Sequence, residues 1–323
     1  ELAVVILFVT VLAPLVRLIC ILYVLLRLRG TRPPRHLSRA FALAEELRPW
    51  SMIEVFVLGV FVAYVKLGDL VTIGLEAGVY ALLALTFVII WADSQLDRQA
   101  IWDSLGRGRT APEGLQQRKV WWPGLSGAIG CTTCGLVSAF RADDPFCPRC
   151  DKKLHARKPD SVARTWALVI AAAVLYVPAN YYPVLTVMQL GAGAPSTILG
   201  GVEELITARM YPLAALVLFA SILVPMLKLV GLSTLLVATQ TGYGNWLRDR
   251  TRLYHVIRWI GRWSMIDIFM EALLGALVRF GNVITIEPGI GAVAFCAVVI
   301  LTMIAAETFD PRLMWDAAGR LPR

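Results

Sequence analysis

Uninterrupted apolar runs constrain this chain more than anything else in it. They cover roughly residues 1–28, 50–68, 76–96, 165–190, 211–238 and 263–308. A span of about 20 apolar residues is what a bilayer core accommodates. The last run is long enough to fold as two halves around Gly281–Gly291, so the sequence predicts seven membrane helices. Within lipid each span must satisfy its own backbone hydrogen bonds, which predicts an all-α polytopic membrane protein. The composition agrees: 58% hydrophobic and 17% charged, against about 45–50% and 25% in soluble domains. A soluble enzyme, a disordered chain, a disulfide scaffold and a long coiled coil are all excluded.

Charge placement orients the spans. Arg29, Arg32, Arg35, Arg39 and Arg48 crowd one loop, and Arg248, Arg250, Arg252, Arg258 and Arg262 another. A third basic region runs from Arg98 to Arg164. The connectors Gly68–Glu76, Gly191–Met210 and Gly281–Gly291 are poor in Lys and Arg. The positive-inside rule then makes the basic loops cytoplasmic. The net charge of +8 reports topology rather than nucleic-acid binding, because the basic residues sit at span ends.

The chain also repeats itself. Trp50-Ser-Met-Ile-Glu54-Val-Phe56 matches Trp263-Ser-Met-Ile-Asp267-Ile-Phe269, 213 residues apart, and roughly a third of positions stay identical from there to Trp102-Asp103 and Trp315-Asp316. Upstream, Phe8–Arg17 matches Phe219–Lys228 at an offset of 211. Two tandem copies of a four-helix transmembrane module are therefore expected, and the shared charge bias makes the repeat parallel. The first copy begins inside its second helix, so a helix and a Cys region are expected ahead of Glu1. The domains read as 1–103 for the first module, 104–128 for a linker, 129–156 for a zinc ribbon and 157–318 for the second module.

Cys131-Thr-Thr-Cys134-Gly and Cys147-Pro-Arg-Cys150 carry the strongest chemical signal. Two C-x2-C pairs with 12 residues between them place four thiolates on two facing turns, a tetrahedral S4 site. Gly135 lets the first turn curl. Arg141, Arg149, Lys152 and Lys153 flank the cluster and offset its negative charge. One structural zinc is the first expectation; rubredoxin-like iron or a redox dithiol pair also accept four sulfurs. Cys20 and Cys296 sit in apolar helices and read as small buried hydrophobes.

Ionisable groups at membrane depth are functional candidates. Ser221, Pro225 and Lys228 fall at i, i+4 and i+7 on one helical face, and Ser264, Asp267 and Glu271 at i, i+3 and i+7 on the next. Lys228 lies ~12 Å from the cytoplasmic end of its span, and Asp267 and Glu271 ~7 and ~13 Å into theirs. Matched depth and opposite charge predict a polar lining for a substrate path or proton relay, or else an ion pair that braces the helices. The first-copy equivalents are Thr10, Pro14, Arg17, Ser51 and Glu54, with Leu58 in place of Glu271. An always-charged arginine suits a structural pair, which places activity in the second copy. Pro178, Asn180 and Pro183 predict a broken helix whose freed carbonyl Asn180 partners. Gly191–Ile198 and the residues from Gly200 read as a short outer segment with an amphipathic helix, and on the same side Thr285–Gly289 and Thr72-Ile73 are β-prone enough to pair as a small periplasmic β cap.

Together, Cys131…Cys150, Pro178-Ala-Asn180, Phe219…Lys228, Gly261-Arg-Trp-Ser-Met-Ile-Asp267 and Phe309-Asp-Pro-Arg312 resemble the paraquat-inducible protein A family, strongly over 130–318 and through the repeat over 1–103. That family includes the inner-membrane component of the lipophilic envelope-spanning tunnel system. The resemblance implies a bacterial inner-membrane protein with cytoplasmic zinc ribbons, working with membrane lipids and a periplasmic MCE-domain tunnel protein in lipid transport. No Walker A motif, nucleotide glycine loop or triad pattern suggests an enzyme. The alternatives are a membrane redox protein using the four-cysteine site and a non-transporting anchor for the tunnel protein.

Overall fold

The computed structural model describes residues 2–28, 34–68, 76–106, 128–139, 146–155, 157–189, 192–242, 246–277, 279–280 and 284–319. It begins with α1 (Leu2–Leu7), a π-helical turn at Phe8–Leu12, and α2 (Ala13–Arg27). Pro14 sits in the first turn of α2. A proline there lacks an N–H that the α-ladder would otherwise need, and the wider π turn gives its ring room. Next come α3 (Arg35–Leu47), α4 (Ile53–Gly68), α5 (Ala77–Gln95) and α6 (Arg98–Gly106). The strands β1 (Ala128–Gly130) and β2 (Val137–Ala139) form an antiparallel pair.

The second half opens with α7 (Ser161–Tyr181), β3 (Leu185–Gln189), β4 (Ala192–Ser196) and α8 (Ile198–Thr207). Then α9 (Tyr211–Leu218) runs through another π turn, Phe219–Leu223, into α10 (Val224–Thr241), again with the proline just after the turn. Gly242, in the left-handed region at φ 65°, ends α10. The chain continues through α11 (Leu247–Trp263), α12 (Ile266–Leu277), β5 (Arg279–Phe280), β6 (Ile284–Pro288), α13 (Ile290–Thr308) and α14 (Arg312–Gly319).

Among the described residues six helices are long and apolar enough to cross a membrane: Val4–Arg27, His36–Val65, Ala77–Gln95, Ser161–Tyr181, Ala214–Thr241 and Ile290–Thr308. The seventh expected helix is different. A turn at Ser264-Met265 separates the charged α11 from α12, and 12 residues of α12 extend only about 18 Å, short of a hydrocarbon core of about 30 Å.

The residues divide into two compact units. One comprises Leu7–Ile53 and Tyr80–Ala156. Its core joins Val24, Leu37, Phe41, Ile101, Trp102 and Leu105 to the four buried cysteines.

The other unit comprises Glu1–Ile6, Glu54–Val79 and Arg157–Arg323. Here α7 packs along α13, with Val169, Ala172, Leu232, Leu236 and Phe309 in a shared core. A second cluster sets Val62 and Ala63 of α4 on Val202, Leu205, Ala214, Val217 and Met270. Phe56 meets Phe269, its counterpart in the repeat, edge to face at 5.4 Å.

An antiparallel sheet of order β4-β3-β6-β5 lies in this unit, with Leu185 opposite Ser196 on one side and Pro288 on the other. Gly289 and Gly291 receive the backbone that leaves α7: their N–H groups donate to Val184 and Pro183 carbonyls at 2.8 and 3.2 Å. A Cβ on Gly289 would stand 2.1 Å from the Pro183 oxygen, so no other residue fits. The β-prone Thr72-Ile73 lies outside the described residues.

Candidate functional site

The four-cysteine cluster is built from two near-identical turns. In the first, Cys131 N–H donates to Leu136 O at 2.9 Å and Gly135 N–H to Cys131 O at 3.0 Å; in the second, Cys147 N–H donates to Lys152 O at 2.7 Å and Asp151 N–H to Cys147 O at 2.9 Å. The residue after each second cysteine is left-handed, Gly135 at φ 70° and Asp151 at φ 62°. Aspartate is one of the few side chains that tolerates this region. The four Sγ atoms lie within 4.8 Å of one another, with Cys131–Cys150 and Cys134–Cys147 at 3.5 Å. A tetrahedral ion with metal–sulfur bonds of about 2.3 Å requires sulfur separations of about 3.8 Å. The donor set therefore fits a metal ion.

Thiols this close share protons. Hydrogen bonds from Cys134, Cys147 and Cys150 pull Cys131 far below the ordinary thiol range, while the same contacts with Cys131 and Cys147 push Cys134 above it. A divalent cation relieves that competition by taking all four sulfurs as thiolates.

The cluster is clamped to helices of its own unit. Arg149 Nε donates to Trp102 O at 3.0 Å, and its guanidinium pairs with Asp103. Lys152 pairs with Glu46, and Arg39 with Asp151 at 3.4 Å. Phe41 packs edge to face on Trp102 at 4.8 Å. Arg149 and Lys152, read from the sequence as charge compensation for the sulfurs, thus also dock the cluster on α3 and α6. Arg141 lies outside the described residues.

The second-copy polar residues fall as follows. Ser221 lies in the π turn, and Pro225 and Lys228 follow in α10, all three buried. Lys228 is 1% exposed, and its Nζ donates to Gly261 O of α11 at 3.4 Å. Ser264, equally buried in the turn before α12, has no hydrogen-bond partner for Oγ among the described residues. Asp267 and Glu271 belong to the backbone of α12, but their side chains lie outside the described residues. Pro178 is inside α7, and Asn180 Nδ2 donates to Tyr176 O at 2.9 Å just before the helix ends; Pro183 lies in the turn that Gly291 meets. Tyr176 Oη reaches the π turn, donating to Ile222 O at 3.4 Å.

In the first copy Thr10 lies in the matching π turn, Pro14 and Arg17 are buried in α2, Ser51 is half-buried and Glu54 is exposed. Arg17 Nη2 donates to both carboxylate oxygens of Asp93 of α5, at 2.5 and 2.7 Å, while its buried Nε has no hydrogen-bond partner among the described residues. Asp93 is the functional-looking residue that sequence reasoning missed. Its signal was present: a carboxylate inside the apolar run 76–96, where a charge needs a partner. Position 306, 213 residues on, is alanine, so the repeat keeps no carboxylate at that position.

Six apolar membrane-length helices and a buried four-cysteine cluster define a multi-pass membrane protein with a candidate metal centre. The family model described as "Paraquat-inducible protein A" matches residues 1–106 and 162–319, and the chain belongs to that family. It is 38% identical to the "Intermembrane transport protein PqiA" of Escherichia coli (strain K12) over 306 residues, 94% of this chain and 72% of the relative. It is 31% identical to the "Lipophilic envelope-spanning tunnel protein A" of the same strain, over 94% of this chain and 68% of that one. A "Probable intermembrane transport protein" of Haemophilus influenzae matches at 34% over 54% of the chain and 42% of its own. These relatives are named as transport proteins, not enzymes. No solved structure matches.

Proposed function

We propose that this protein is the inner-membrane, lipid-handling subunit of an envelope transport system. It passes lipid to or from a periplasmic tunnel protein built of MCE domains. Two tandem copies of one helical module form the transmembrane body, the sheet β4-β3-β6-β5 caps the periplasmic side, and the cytoplasmic four-cysteine ribbon holds one structural zinc. In the second module Ser221, Pro225, Lys228, Ser264, Asp267 and Glu271 line the path or relay protons, with Pro178, Asn180 and Pro183 shaping its outer end.

One observation carries this reading: Lys228 is fully buried in a helix that belongs in a bilayer, and its ammonium reaches a carbonyl at 3.4 Å. That carbonyl belongs to Gly261, and three residues further along the chain the buried Ser264 hydroxyl has no partner among the described residues. A residue kept only to brace helices gains from an opposite charge, and the first copy has one: Arg17 Nη2 reaches both oxygens of Asp93, although Arg17 Nε is buried without a partner among the described residues. The names of the relatives supply the transported class.

The test replaces Lys228→Met together with Asp267→Asn and Glu271→Gln, and separately makes the matching changes at Arg17 and Glu54. The expected result is a well-expressed second-copy variant that no longer supports envelope integrity. Full activity of that variant at normal protein levels would overturn the path, and equal loss in both copies would overturn its placement in the second. Metal analysis separates the redox reading, since a colourless, zinc-loaded protein leaves no centre to carry electrons.

A further inference from the structure

Five charged side chains gather in the unit that holds the four cysteines, and they do not balance. Arg17 of α2 donates to both oxygens of Asp93, in the last turn of α5, and Arg98, which opens α6, donates to Glu45 of α3 at 3.1 Å. Arg48, in the turn Arg48–Trp50 after α3, is the fifth. The charges close enough to act on it are Arg98, Glu45, Arg17 and Asp93. Three arginines thus face two carboxylates, and both carboxylates are taken. Asp97, the next acid along the chain, caps α6, accepting from the N–H groups of Gln99 and Ala100 at 3.0 and 3.1 Å. The exposed Arg48 guanidinium makes no hydrogen bond or ion pair among the described residues.

The imbalance points to an anion. Arg17 is 4% exposed, and its buried Nε has no acceptor among the described residues. A buried donor without an acceptor is costly, and a guanidinium beside two others carries their repulsion. A phosphate answers both demands, with charge and with acceptor oxygens. A zwitterionic headgroup answers less well, because no carboxylate is left for its cation.

The repeat shows that the surplus is not part of the scaffold. At the offset of 213 the second copy has Gly261 and Pro311 where the first has Arg48 and Arg98, and Arg258 where the first has Glu45.

An apolar stripe runs up to the cluster. Leu83, Phe87 and Ile90 of α5 are exposed at i, i+4 and i+7, and Asp93 follows one turn later. Since α5 is one of the membrane-length helices, an acyl chain along this stripe would carry its phosphate to the arginines. That favours a phospholipid over a free phosphate.

We propose that Arg17, Arg48 and Arg98 form a binding site for the phosphate of an anionic phospholipid, with Arg48 as the principal contact. The site depends neither on Lys228 nor on the path proposed above.

Native mass spectrometry of the full chain in micelles tests it, with phosphatidylglycerol and phosphatidylcholine of the same acyl chains as probes. Phosphatidylglycerol should be retained roughly fivefold better, the scale of one cation at a membrane surface. Arg48→Gln should erase that preference, and Arg48→Lys should keep part of it. Arg27→Gln, at the far end of α2, removes an equal charge from the same unit outside the cluster, and the preference should survive it. Unchanged metal content and thermal unfolding identify folded variants. Equal retention of the two lipids by the unsubstituted protein overturns the proposal, whatever the variants do. So does a preference that survives Arg48→Gln in a folded variant, or one that falls equally with Arg27→Gln, the mark of a diffuse attraction to basic loops. Inorganic phosphate should displace the lipid only at far higher concentration, and displacement at equal concentration would overturn the lipid source. Lys228→Met should leave the preference unchanged whatever it does to transport, so the two ideas fail separately.

Discussion

Arg17 and Lys228 occupy matching positions of the repeat, each buried and each three residues past a proline that follows a π turn, yet their surroundings differ. Arg17 forms an ion pair with Asp93 on another helix of its unit, Nη2 donating to both carboxylate oxygens. Lys228 reaches the Gly261 carbonyl, and the Ser264 hydroxyl just beyond that glycine in the chain has no partner among the described residues. A charge pair resists being opened, because either charge left alone in a dry environment is costly. Among the described residues Lys228 has a neutral carbonyl as its partner, and a hydrogen bond to a neutral acceptor is weaker than one between charges. One scaffold thus holds a charge pair and a carbonyl-bound lysine at equivalent positions.

Substitutions can put that contrast to the test, and the metal site should respond most strongly. The four cysteines are core to the unit that holds Arg17 and Asp93, so Cys147→Ser should remove the metal and loosen α3 and α6 with it. A fall in thermal midpoint of about 10 °C or more is expected, since structural metal binding is folding energy. Plasma mass spectrometry and limited proteolysis near Trp102 would check it. A metal-free protein with α3 and α6 still protected would show that the charge pair stands without the ribbon.

The ion pair comes next. Arg17→Met leaves the Asp93 carboxylate, 29% exposed, without its partner, and should destabilise the protein by about 2–4 kcal/mol in micellar unfolding. Combining R17M with D93L should return near to the starting stability, because two apolar groups replace both charges. Lys228→Met should have a smaller effect of opposite sense, from neutral to about 1 kcal/mol stabilising, while lipid transfer is lost. If Lys228→Met is as destabilising as Arg17→Met, the contrast collapses. The smallest effect belongs to Asn180→Ala, which removes one side-chain bond to Tyr176 O and should cost about 0.5–1 kcal/mol.

Much of this architecture is legible in the order of the amino acids. Apolar run length marks the membrane helices because bilayer thickness permits few alternatives. The Cys-x2-Cys spacing marks the four-cysteine cluster because ligand geometry is local. Both kinds of signal sit in contiguous residues. The rest depends on long-range choices. Nothing adjacent to Arg17 names Asp93, 76 residues away, and nothing in the cysteine turns says that Arg149 will grip the end of α6. The π turns are hidden for another reason: a proline predicts a distorted helix, but not whether the distortion is a kink or an extra residue in the turn. The break at Ser264-Met265 escapes as well, since both residues are compatible with a continuous apolar span.

The core that joins Phe41 to Cys150 also sets an order of events during biosynthesis. The apolar face of α3 emerges from the ribosome with Phe41 109 residues ahead of the last cysteine that covers it. At about 5–20 residues per second, that face waits roughly 5–20 s for its cover. During that interval the membrane surface or a chaperone must shield Leu37 and Phe41, and the cover is complete only once Cys150 has emerged.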